Sequence, residues 1–152
     1  MRYGVDIETA LYNKLTEEGI SASAHRLPAS LGVTLAPLQS AEESESHDES
    51  EAPEPGIPAL PHVHVTRTGG YTTDMVIEEN NVDFDVYAED QADAMTAAAE
   101  LCGWVRELAG QEIGSPCYTS EVITLPYENP DPRHPTLGRA TFKAQIRIRT
   151  KE

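Results

Sequence analysis

The last stretch of the chain, RATFKAQIRIRTK (139–151), alternates without a break. Ala140, Phe142, Ala144, Ile146 and Ile148 fall on one parity, and Thr141, Lys143, Gln145, Arg147 and Arg149 fall on the other. Successive strand residues point to opposite faces, so the pattern predicts a long strand with one face in a core and one turned outward. A helix over the same residues would scatter the apolar groups around its axis. The rest of the chain must therefore supply a sheet for this strand to join and an apolar layer to cover it.

Other segments supply both. NVDFDVYAED places Val82, Phe84, Val86 and Ala88 on one face and Asp83, Asp85 and Tyr87 on the other, and LPHVHVTRTGG alternates Val63 and Val65 with His62 and His64 before a glycine turn. CYTSEVITLPY reads as a further strand and GISASAHRLP as a short one. Between residues 6 and 18, Ile7, Leu11 and Leu15 recur every four residues ahead of Gly19, the pattern of a short amphipathic helix with a left-handed stop. A second helix is expected after Asp90, a natural cap, with Ala94, Ala98, Leu101, Val105 and Leu108 in one apolar stripe widened by Met95, Cys102 and Trp104. Strands that do not alternate strictly with helices predict a single α+β domain over 1–152. Its mostly antiparallel sheet of four to five strands carries two helices on one face.

Charge narrows the partners. The net charge is −15, and seven of the 26 acidic residues crowd into 40–56 without one lysine or arginine. That segment, SAEESESHDESEAPEPG, holds too little apolar surface to order itself and is expected to be a flexible insertion loop. With it set aside, 19 acidic residues still face 11 basic ones, so the body is not built to grip a phosphate backbone. Such a surface suits a protein past which DNA must slide. No apolar run approaches the roughly 18 residues of a membrane span, and the first residues do not read as a signal peptide. Cys102 and Cys117 lack CxxC spacing and are expected to be free thiols in a reducing cytoplasm.

Candidate chemistry is sparse. His62 and His64 with Asp83 and Asp85 could hold zinc or another divalent ion, because alternate residues project to the same side. The simpler reading makes them outer-face residues, with Asp83 or Asp85 meeting Lys143 or Arg147 across strands. His134 and Asp131 could join Ser115, Cys117, Thr119 or Ser120 as base and nucleophile, but no GxSxG elbow or glycine-rich oxyanion loop accompanies them. GxxxxGK is absent as well, which disfavours nucleotide hydrolysis. The basic parity of the last strand can be a solvated face, a contact for an acidic surface on a second copy, or a DNA track, the last disfavoured by net charge.

The runs VDFDVYAEDQADAMTAAAELCGWVREL and YTSEVITLPYENPDPRHPTLGRATFKAQIRIRT resemble the tail terminator proteins of long-tailed bacteriophages (siphoviruses) that infect actinobacteria. The likeness covers 60–150, with a looser one in the first helix and the HRLP after it; 40–56 lies outside it. It implies a non-enzymatic virion protein without cofactor, metal or catalytic residue; another head-tail joining protein or a minor tail protein is the alternative of the same class. Such proteins form a ring, generally of six copies, in the neck, at the end of the tail proximal to the head. The ring caps the major tail tube protein, stops its polymerisation and meets the head-completion or stopper protein. It assembles in the host cytoplasm, and the genome crosses its lumen without specific binding.

Pro130, Pro132 and Pro135 stiffen NPDPRHPTLGR into a brace between two strands. Contacts to a neighbouring copy or a joint protein are expected from Asp131, Arg133 and His134 of this brace and from Lys143, Arg147 and Arg149 of the last strand.

Overall fold

The computed structural model of the chain describes residues 5–25, 59–73 and 76–151; the acidic segment 40–56 lies outside them. The elements run α1 (Ile7–Glu17), β1 (Ser21–Ala24), β2 (His62–Thr73), β3 (Ile77–Ala88), α2 (Gln91–Arg106), β4 (Cys117–Glu128) and β5 (Gly138–Arg149). The five strands form one sheet in the order β1-β2-β3-β5-β4. Only β1 runs parallel to its neighbour; every other pair is antiparallel. Strand β5 thus slots between β3 and β4, which α2 connects over the sheet. The expected α+β domain, with two helices on one face, is the one observed.

Both helices start and face as their sequences dictate. The Asp6 carboxylate accepts from the Thr9 amide and hydroxyl, and Gly19 ends the first helix region at φ +80°. Ile7, Leu11 and Leu15 are fully buried. Asp90 accepts from the Asp93 amide at 2.8 Å, and Ala94, Ala98 and Val105 are buried to the last atom. The start of α2 lies so close to β5 that a Cβ on Gly138 would sit 2.3 Å from the Asp90 carbonyl. Gln91 secures the junction by pairing with both backbone groups of Arg139.

Below the helices, all five inward residues of β5 are fully buried, and Phe142 stacks on Phe84, its direct cross-strand partner, at 4.9 Å. Toward the β2–β3 turn this face becomes polar. Arg67 donates from its amide to Glu8 and from its side chain to Asn80, while Glu78 accepts from Asn80 and from the Val5 amide. The start of α1 is thereby tied to the sheet by hydrogen bonds that satisfy its buried polar groups. The register of β2 shifts between Arg67 and Gly69. Gly70, at φ +140°, lies where a Cβ would strike the Glu79 carbonyl at 1.9 Å, so glycine is required there.

Candidate functional site

The expected site residues lie on the other face of the sheet and in the β4–β5 connection. That connection does not project outward. It folds back over the end of the sheet, and the reason is Tyr87. Its hydroxyl donates to Asp131 at 2.8 Å, Arg139 donates to the same hydroxyl at 3.2 Å, and the edge of the His134 ring packs against it at 5.9 Å between centroids. Burial, the largest influence, pushes the Tyr87 hydroxyl up to about 12 and keeps it a donor. Burial would raise Asp131 too, but the Arg133 amide, the Tyr87 hydroxyl and the two guanidinium groups outweigh it and hold the carboxyl at about 2.

Two expectations are corrected by this geometry. Asp131 is 4% exposed and His134 2%, so neither reaches outward toward a neighbour. Arg133 does, with 73% of its side chain exposed. His62 and Tyr87, expected on a solvated face, are buried because the returning loop and β1 close over that end.

The proposed metal ligands are engaged elsewhere. Ser21 Oγ lies 2.7 Å from His62 Nδ1, and Ser23 Oγ lies 2.8 Å from both His62 Nε2 and His64 Nδ1. These contacts close as one chain of neutral groups when Ser21 donates to His62, His62 to Ser23, and Ser23 to His64. Burial, then the neighbouring His64, drives His62 down to about 4, and burial also lowers His64 against the opposing pull of Asp85. Asp85 accepts from Thr141 at 2.6 Å, and Asp83 receives both its bonds from Lys143 at 3.0 Å. Among the described residues no three His, Cys, Asp or Glu side chains converge as a metal site.

The nucleophile and base are likewise apart. Ser115 donates to the Arg149 carbonyl at one end of β5, whereas Asp131 and His134 sit at the other. Burial raises both thiols, Cys117 to about 11, so neither is a ready thiolate.

The basic parity of β5 is largely matched within the chain. Lys143 stands opposite Asp83 and Arg147 opposite Glu79, at 3.0 and 3.7 Å. Arg149 is exposed with no ion-pair partner among the described residues.

What the sequence reading missed is the edge. Strand β4 closes the sheet on that side, and its pairing with β5 is broken by three register irregularities, with Pro126 inside it. Such devices keep an edge from pairing indiscriminately. Yet Ile123 is 52% exposed, Leu125 68% and Tyr127 39%, at alternate positions along the edge strand. Their signal was the apolar pair Val122-Ile123, which breaks strict alternation. Comparison with protein-family profiles and with curated proteins returns no match to this chain.

Proposed function

We propose that the chain is a phage tail terminator, a structural virion protein that forms a ring on the end of the tail tube. There it stops tube growth and meets the head-completion protein, with the genome passing through the ring. The observation that carries this reading is the apolar row Ile123, Leu125 and Tyr127 on an edge strand, beside an outer face whose charges are mostly paired already. Among the described residues nothing covers these three large apolar side chains, while the inward faces of the sheet and helices are buried. A surface of this kind marks a protein contact. A ring needs a heterologous contact repeated around an axis, and a guarded edge strand provides one side of it. The resemblance over 60–150 supplies the particular assembly, and the acidic surface agrees with a lumen that lets DNA pass without holding it.

The reading is tested by adding the purified chain to tail tube protein as it polymerises. The expected result is short tubes with the chain bound at one end. Tubes of unchanged length, with no bound chain, would count against it.

A further inference from the structure

On the helical face, α1 rests on β1 and β2 while α2 rests on β3, β4 and β5, so the helices cover separate parts of the sheet. A cleft beside α2 has two joined compartments. The first, of about 170 Å³, is apolar: Val63 and Val86 form its floor, Ile20 one wall, and Leu101 and Trp104 the other. The second, of about 340 Å³, shares Pro61, Ala97 and Glu100 with the first and is rimmed by Glu89, Asp93 and Glu100. These three carboxylates are exposed, and among the described residues no lysine, arginine or histidine lines either compartment.

We propose that this cleft docks a segment of a partner protein in which a bulky apolar side chain is followed by lysine or arginine. The apolar compartment has room for one large side chain, and among the described residues its lining is apolar apart from the Glu100 it shares with the rim and the Trp104 indole N–H. The adjoining carboxylates supply the partners that a nearby cation needs. Charge selects among occupants. A second copy of this chain carries a net charge of −15 and would bring acid to an acidic rim, whereas a basic segment is steered toward it. The proposal does not depend on the tail terminator reading, since it concerns the helical face and not the β4 edge.

Trp104 is the chain's single tryptophan and lines the apolar compartment, so its emission reports occupancy. The full chain is titrated with capped hexapeptides carrying leucine or phenylalanine followed by two arginines, and with counterparts in which glutamate replaces arginine or serine replaces the apolar residue. The arginine peptides should shift Trp104 emission saturably, and raising salt from about 50 mM to about 500 mM should weaken them about tenfold. The exposed double substitution Asp93→Asn and Glu100→Gln should weaken them roughly fivefold. Serine and glutamate counterparts should have no effect. The proposal is overturned if no arginine peptide gives a saturable response or if the glutamate peptides act equally. It is also overturned if a response appears only after deletion of 30–56, which would make the chain's own segment the occupant. Emission that changes with protein concentration alone would assign the cleft to a second copy.

Discussion

The Tyr87 hydroxyl and the Asp131 carboxylate, 44 residues apart in the chain, meet at 2.8 Å in a buried bond on the outer face of the sheet. This bond turns a proline-stiffened connection inward. Asp131 accepts from Tyr87 and from the Arg133 amide and pairs with Arg139, so its removal leaves the buried Tyr87 hydroxyl without its acceptor and Arg139 without its carboxylate. Asp131→Ala is expected to cost about 2–4 kcal/mol in denaturant unfolding, against about 1 kcal/mol for Tyr87→Phe. Equal costs would show that Asp131 is not the hub.

The same carboxyl sets a stability limit in acid. Its folded value of about 2 lies below the ordinary 3.8, so its contribution is present above pH 3.8 and is lost as pH falls toward 2. The histidines act earlier. His62 falls from 6.5 in the unfolded chain to about 4 when folded, so the folded chain holds it neutral while the unfolded chain takes up a proton. Stability is therefore full above pH 6.5 and declines between 6.5 and 4, by about 2 kcal/mol at pH 5 from this one group. Urea unfolding at pH 7 and pH 5 measures it, and identical stabilities would contradict the neutral serine–histidine chain.

Ile123→Ser with Leu125→Ser should leave the unfolding free energy within about 0.5 kcal/mol, because both side chains are already exposed. Self-association, read by sedimentation, should be lost. A large fall in stability would mean that the row packs within the domain.

Arg149→Glu is the corresponding charge test. Its backbone bonds to Pro116 and Ser115 do not involve the side chain, so folding should be unaffected while ring formation weakens. Arg147→Glu would be a poorer test, since it also sets an acid against Glu79. Unchanged ring formation by Arg149→Glu would show that this cation is merely solvated.

The sheet and both helices were legible because each rests on local period and capping. Ile7, Leu11, Leu15 and the alternation from Ala140 to Ile148 state their burial in the sequence itself. The cross-strand pairing of Asp83 with Lys143 could be anticipated once both were placed on one face. The candidate site was less legible because its burial depends on contacts far apart in sequence. Nothing near His62 announces that Ser21 and Ser23 will close over it, 41 and 39 residues away. Nothing near Ile123 announces that β5, made later, will insert between β3 and β4 and leave β4 at the edge.

The central claim, that this chain ends the growth of a tail tube, is tested most directly by removing its gene from the phage and measuring tails by electron microscopy. The account predicts filled heads beside unjoined tails of widely varying length, corrected when the intact gene is supplied and not when the Ile123→Ser, Leu125→Ser form is. Tails of normal, uniform length in its absence would contradict the account.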